Sequence, residues 1–410
     1  MESSGKALLR IGVILTGLAC PMAAGQSTLP SEAALPSDAA MSAAEIAAQA
    51  ARAARDQRLA ADRVELEKLV AAVDAYGKLD EFAVVASALL DARPGVDKEA
   101  ERFVRLPDDS SFIDVSLERW VGWNVKAPGA DEFPSVAKGR EHHPFHCIVD
   151  FHRQLAAHGI ELLVVTFPMR PHLYPELAPG LAATFAKEDG FAGLCPGTSR
   201  FALELNKQGV EILYLASQFV PRRFGGADGE PPDRADQLFL RNNQHWTPRA
   251  AELAASLVAK RVRQFANFTP GKAKEGVDFN VKPIEKDVTI VWGGTAEWAK
   301  PERLKLVQVT SADAKRRLLN QLPSSPIVVL GDSFADYHRQ DGGDFTTHLY
   351  RFLEQPIDLL NPRGGVEKAC RDSLRRRGDA LKADKIIIWL LPEQVFQTGS
   401  QWEPLEMFGQ

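Results

Sequence analysis

Cysteine is scarce, a basic stripe is absent, and no segment recurs at a fixed period. The 4 cysteines among 410 residues are Cys20, Cys147, Cys195 and Cys370, and their spacings match no zinc pattern. The formal net charge is -5, with charged residues at 25%. That balance excludes a nucleic-acid binder, which needs a basic stripe, and it is not that of an acidic tail protein. The missing period excludes a solenoid or propeller. What is present is apolar: 45% of residues are hydrophobic and 8% aromatic, enough for one large core or two modest ones.

The N-terminus reads as a targeting segment. Lys6 and Arg10 give a positive start, and Ile11 to Ala19 is an apolar run too short to span a bilayer comfortably. Pro21 to Gly25 supplies small residues for cleavage. Residues 1–25 are therefore expected to be a signal peptide, with an uncleaved N-terminal anchor as the alternative. Gly17-Leu18-Ala19 before Cys20 is a poor lipoprotein signal. Cleavage leaves three cysteines, so an exported protein can hold one disulfide and one thiol, and the sequence does not choose the pair.

Residues 26–42 are rich in Ser, Pro and Ala and read as a flexible linker. Ala43 to about Leu79 is Ala-rich and charged, with Ile46, Leu59, Val64, Leu69, Val70 and Val73 near helical spacing. A second helix is predicted from Asp80 to Ala92, stopped by Arg93-Pro94-Gly95. The expected organisation is a linker and solvated helical spacer over 26–100, then one domain over 101–410. In that domain Pro144–Ala157 reads as a helix, and Thr247-Pro248 caps another running to about Phe265. Strands are predicted at 160–168, 210–215, 326–331, 356–360 and 385–391. Alternating strands and helices give an α/β fold with a mainly parallel sheet, whose sites sit at strand C-terminal ends.

The strongest chemical signal is Val328-Val329-Leu330-Gly331-Asp332-Ser333. A buried strand runs directly into a turn that Gly331 permits. This places Ser333 at the start of a helix, where backbone N–H groups can hold an oxyanion. The plainer alternative is a strand-to-helix cap by Asp332 or Ser333. A serine nucleophile needs a base. His245, in Asn243-Gln244-His245-Trp246 just before the capped helix, is the best placed of the nine histidines. Asn361 to Gly365 follows a strand: Gly364 and Gly365 can complete an oxyanion hole, and Asn361 or Arg363 can contact substrate. His142, His143, His146, His152, His158 and His172 cluster in sequence, but Pro144 interrupts the one helical pair, His142 and His146. Neither a metal nor a cofactor is expected. Trp120, Trp123, Trp246 and Trp292 are sugar-stacking candidates, although large aromatics are more often core.

Phe151–Leu177, Asp236–Ala255, Ile327–Phe334 (IVVLGDSF) and the Gly364-Gly365 segment, taken in order, resemble the periplasmic alginate O-acetyltransferases of the AlgJ/AlgX type. The resemblance covers roughly residues 140–395 in patches. It implies an SGNH-hydrolase-like, flavodoxin-like domain in permuted order, with the His motif before the Ser motif. It also implies a periplasmic enzyme that acetylates an exported polysaccharide through a Ser-His mechanism, with a membrane-bound O-acyltransferase as acetyl supplier. One position departs: the family pattern is Asp-x-His-Trp, and Asn243 stands where the Asp would be. Losing that carboxylate costs on the order of 10⁴ in the trypsin-type example. Asn243 can still orient His245, as in the Cys-His-Asn arrangement of papain-like proteases. Alternatively Asp236 or Asp332 substitutes, or the protein is catalytically weak and mainly binds polysaccharide. An acetyl esterase would use the same residues.

Overall fold

Apolar, β-branched runs bounded by Gly and Pro become the strands of a five-stranded parallel sheet. The computed structural model describes residues 42–76, 79–91, 103–105, 111–113, 142–181, 193, 195–223, 237–270, 279–288, 300–311, 322–362, 365–396 and 402–408. The expected signal peptide and nearly all of the linker lie outside them, as do Trp120, Trp123, Asp236, Trp292, Arg363 and Gly364.

The strands are β1 (Phe103–Arg105), β2 (Ser111–Ile113), β3 (Glu161–Phe167), β4 (Glu211–Tyr214), β5 (Phe279–Val288), β6 (Glu302–Ser311), β7 (Ile327–Leu330), β8 (Asp358–Leu360) and β9 (Ile386–Pro392). The main helices are α1 (Ala43–Ala75), α2 (Leu79–Asp91), α3 (Pro144–Ala157), α4 (Pro196–Lys207), α5 (Pro248–Val262), α6 (Phe345–Leu353) and α7 (Ala369–Arg375). The central sheet has the order β4-β3-β9-β7-β8, and every neighbouring pair is parallel. The chain winds outward from β3 to β4, then the other way from β7 to β8, and returns with β9 in the middle.

Side chains alternate faces along each strand, so each strand feeds two cores. Leu162, Val164, Val328, Leu330, Ile387 and Trp389 meet α3, α4 and α7 on one face. Leu163, Val165, Ile327, Val329, Ile386 and Ile388 meet α5 and α6 on the other. Strands covered on both faces read as unbroken apolar runs, which is why the sequence marks them well. All the strands point the same way, so β3, β4, β7, β8 and β9 end along one rim.

The N-terminal helix differs from its expected role as a solvated spacer. Residues 42–47 open it with a capping box, in which Ser42 N donates to Glu45 Oε2 at 2.7 Å and Glu45 N donates to Ser42 Oγ at 3.2 Å. From residue 51 onward, one face of α1 is docked. Leu59, Leu66 and Val73, seven residues apart, are buried, and Leu66 joins the core shared with α3 and α4. Polar contacts fix the register. Arg58 pairs with Glu211 on the edge strand β4 at 2.8 Å, Asp62 pairs with Arg261 of α5 at 2.5 Å, and Asn206 Nδ2 donates to the Leu59 carbonyl at 3.1 Å. The helix therefore lies beside the β4 edge of the sheet and is tied to it through side chains. Ile46 and Val64 stay exposed.

The possible disulfide does not form: Cys147, Cys195 and Cys370 are each buried as free thiols. They behave as small core residues with local hydrogen bonds, as when Cys147 Sγ donates to the Trp402 carbonyl at 3.0 Å.

The antiparallel hairpin β5–β6 is absent from the sequence-based expectation. No side chain of β5 is buried, its apolar Phe279, Val281, Ile284 and Val288 keep no single alternation, and Pro283 interrupts the run, while Leu304, Leu306 and Val309 of β6 are buried. Gly342 is what lets it dock. Its φ is 65°, and a Cβ there would lie 2.3 Å from the Val309 carbonyl oxygen.

Leu66→Ala should destabilise the fold by about 2–5 kcal/mol, the cost of an unfilled core site. Urea unfolding followed by circular dichroism measures it. A change within about 0.5 kcal/mol, as for an ordinary surface position, contradicts the docking.

Candidate active site

Two segments 88 residues apart meet at the rim, His245 and Ser333. Ser333 follows the C-terminal end of β7. Gly331 N donates to the Leu360 carbonyl at 3.1 Å, which continues the β7–β8 ladder through the turn. A Cβ on Gly331 would sit 2.7 Å from Ala335 Cβ, so the sharp entry into the one-turn helix Ser333–Asp336 requires glycine. Asp332 caps that turn, its Oδ1 accepting from Phe334 N at 2.9 Å. Cys370 Sγ lies beneath, 3.4 Å from the Gly331 carbonyl. Ser333 itself is exposed.

His245 is held from both sides along the backbone. Leu240 N donates to the His245 carbonyl at 3.1 Å and Thr247 N to the Leu238 carbonyl at 2.9 Å, forming a β-bridge between Phe239 and Trp246. Thr247 then caps α5, its side chain accepting from Ala250 N. Trp246 is fully buried, 4.6 Å from Phe167 and 5.5 Å from Phe334 between ring centres, so it is core and not a sugar platform. Phe167 also touches Phe334 at 5.0 Å. One aromatic cluster thus braces both the His loop and the Ser turn.

The side chains line up. His245 Nε2 lies 2.7 Å from Ser333 Oγ, and His245 Nδ1 lies 2.6 Å from Asn243 Oδ1. Asn243 Oδ1 also accepts from His245 N at 3.1 Å, and Asn243 Nδ2 donates to Tyr337 Oη at 3.1 Å. The Tyr337 ring stacks on the imidazole at 3.8 Å with an interplanar angle of 6°. The amide oxygen can only accept, so Nδ1 carries the proton and Nε2 presents its lone pair to the serine hydroxyl.

Burial, with His338 as the second cause, pushes the His245 pKa down to about 3. Burial likewise pushes the adjoining Asp332 carboxyl up to about 7. Asp332 faces the Phe334 amide, so it does not take the place of the missing carboxylate at the imidazole. The other carboxylate that was considered, Asp236, lies outside the described residues.

Asn361 follows β8 and donates from Nδ2 to Asp336 Oδ1 at 3.1 Å, which ties it to the far end of the Ser333 turn. Gly365 has a φ of 103°, a left-handed conformation. The structure adds two features that the motifs did not flag. Tyr337 stands one helical turn after Ser333, at the end of the same one-turn helix. Glu302, at the base of β6, accepts from Arg241 N at 3.2 Å on the His245 loop, and burial pushes its carboxyl up to about 7. Lys286 pairs with Asp341, so the hairpin supports both loops.

Most of the clustered histidines disperse, although the His143 and His146 rings stay 5.9 Å apart. His143 caps α3, His152 contacts Arg55 at 3.2 Å, His158 stacks on Phe408 at 3.7 Å, and His172 pairs with Glu393. Among the described residues one trio, His172, Cys195 and Glu393, brings metal-compatible donor atoms within 4.8 Å of one another. Glu393 is already engaged by His172 and by Tyr214 Oη at 3.1 Å, so the trio forms a closed polar network at the rim.

A neutral His245 is directly measurable. Its ring resonances should not titrate between pH 8 and 5, because a pKa near 3 leaves it uncharged throughout that range. A midpoint near the ordinary value of about 6.5 contradicts the buried, neutral imidazole.

Comparison with known proteins now adds the family. The model of the SGNH hydrolase-like domain of the acetyltransferase AlgX matches residues 130–393, more than half of the chain. Among solved structures, the O-acetyltransferase domain of Pseudomonas putida AlgJ is 17% identical. That alignment covers 73% of this chain and 94% of that one, with a TM-score of 0.49. Pseudomonas aeruginosa AlgX is 16% identical over 71% of this chain and 61% of its own, with a TM-score of 0.45. Bacillus cereus PatB1, solved with a sulfonyl adduct, is 12% identical over 66% of this chain and 93% of its own, with a TM-score of 0.41. Among curated proteins none matches significantly. The chain belongs to the AlgJ/AlgX-type family of SGNH hydrolase-like acetyltransferases.

Proposed function

We propose that this protein transfers acetyl groups to hydroxyls of an exported polysaccharide, through an acetyl-enzyme on Ser333. The observation that carries the proposal is the unbroken line Ser333 Oγ, His245 Nε2, His245 Nδ1, Asn243 Oδ1, with steps of 2.7 and 2.6 Å across the ring.

In the proposed first step Ser333 Oγ attacks the acetyl carbonyl of the donor while His245 Nε2 takes its proton. The electron pair of the C=O bond moves to oxygen. Backbone N–H groups around Ser333 and at Gly364 and Gly365 are the proposed oxyanion donors, and Asn361 is a proposed substrate contact. The intermediate collapses, the donor's leaving group takes the proton from His245, and Ser333 carries the acetyl group. A sugar hydroxyl then repeats the sequence in reverse, giving its proton to His245 and receiving the acetyl. Asn243 orients the imidazole throughout.

Ser333 is exposed, which admits a polymer hydroxyl and also water. An acetyl esterase would be the same machinery with water as acceptor, so product analysis with donor and polysaccharide separates the two. The setting we propose is the periplasm, after export by residues 1–25 or with that segment retained as a tether. A membrane-bound O-acyltransferase is the proposed acetyl supplier. Among the described residues no helix is long and apolar enough to cross a membrane.

Two outcomes are expected. Ser333→Ala should lower turnover of a chromogenic acetyl ester by on the order of 10³-fold or more and abolish labelling by a fluorophosphonate. Unchanged turnover sinks the proposal, and glycan binding that persists without any turnover or labelling of the wild type favours a binding protein. The second outcome concerns pH. The base works only when neutral, so kcat/KM falls with acidity as His245 takes up a proton. With its pKa pushed to about 3, kcat/KM should stay flat from pH 8 down to about 5. An acid limb near pH 6.5 contradicts this.

A further inference from the structure

Asn243 creates a problem that a carboxylate would not have. A carboxylate presents two equivalent acceptors, so either oxygen can face the imidazole. A carboxamide has two unlike ends. If it turned over, Nδ2 would point its N–H groups at His245 Nδ1. The ring would then have to carry its proton on Nε2, and it could no longer accept the proton of Ser333. That wrong tautomer is the named cause of the loss when Asp becomes Asn in the trypsin-type triad.

Here both ends of the amide are engaged. The backbone N–H of His245 donates to Oδ1 at 3.1 Å, and the phenol oxygen of Tyr337 accepts from Nδ2 at 3.1 Å. The same tyrosine lies flat on the imidazole, 3.8 Å away and 6° from parallel, so it restrains both members of the pair. It also presents a π face to the ring that becomes cationic during transfer, which is favourable for a cation over an aromatic face. Burial raises the Tyr337 phenol above its ordinary value, so it stays protonated and available as a neutral acceptor.

We infer that Tyr337 is a positioning residue: it holds the Asn243 amide with its oxygen toward His245, and so makes an asparagine workable where a carboxylate would otherwise stand. The inference rests on the Ser333–His245 acyl-transfer reading. Tyr337 touches no reacting atom; it acts through Asn243 and the ring. It sits four residues after Ser333, at the end of the one-turn helix, so the turn that aims the nucleophile also delivers the residue that orients its base.

A double-mutant cycle on the full-length protein tests it. Tyr337→Phe keeps the stack and removes the acceptor. With Asn243 in place it should lower turnover of a chromogenic acetyl ester about tenfold, the scale of one hydrogen bond. In the Asn243→Asp background the same change should cost less than about twofold, because a carboxylate needs no such orientation. A merely structural role of Tyr337 predicts equal losses in the two backgrounds, and equal losses, or no loss in either, overturn the inference. If the wild type neither turns over ester nor labels with a fluorophosphonate, the acyl-transfer reading has failed. Nitrogen-15 spectra of the His245 ring then still decide the matter. Growth of the Nε2–H tautomer in Tyr337→Phe supports the positioning role, and an unchanged tautomer overturns it.

Discussion

Ser333 Oγ and His245 Nε2 stand 2.7 Å apart although 88 residues separate them in the chain, so the site exists only if both ends are fixed independently. The serine end is fixed by β7, buried on both faces, and by a turn that has room for nothing larger than Gly331. The histidine end is fixed by the Phe239–Trp246 bridge and the Thr247 cap on α5. Phe167, from the end of β3, touches both Trp246 and Phe334 and ties the two ends to one core. Positioning of this kind is set during folding, so in the proposed reaction the two groups need not be gathered at the moment of transfer.

The electrostatics follow from the same burial. An imidazole that is 1% exposed resists protonation, and a carboxylate placed beside it would itself have to leave water. Asn243 avoids that buried charge. In the transfer proposed above it gives up stabilisation of an imidazolium, and it requires a fixed amide orientation. The neighbourhood is consistent with this low polarity: Asp332 and Glu302 both have carboxyls pushed up to about 7 by burial. The site is thus a largely buried hydrogen-bonded line that opens to solvent at Ser333.

The readable part of the sequence was the part governed by local rules. Strands covered on both faces, such as Ile327–Leu330 and Ile386–Pro392, announce themselves as apolar runs. The Thr247-Pro248 cap and Gly331 are demanded by backbone geometry, which one sequence reveals. Ser333, His245 and Asn243 stood out as candidates because each sits at such a junction. The hairpin β5–β6 was not, because Pro283 interrupts its exposed strand and the alternation that Phe279 and Val281 begin slips phase at Ile284. The docking of α1 was underestimated because Ala-rich, charged helices bury few large side chains, and here Leu59, Leu66 and Val73 suffice alongside ion pairs to β4 and α5. Tyr337 was invisible for a different reason: the role inferred for it depends on a contact with Asn243 across 94 positions.

The most direct measurement is intact-protein and peptide mass spectrometry of the enzyme quenched during reaction with an activated acetyl ester. The account predicts a transient single acetyl group on the peptide containing Ser333, and its disappearance when a polysaccharide acceptor is added. Acetyl on a different residue, or turnover with no acetyl ever bound to the protein, would contradict it.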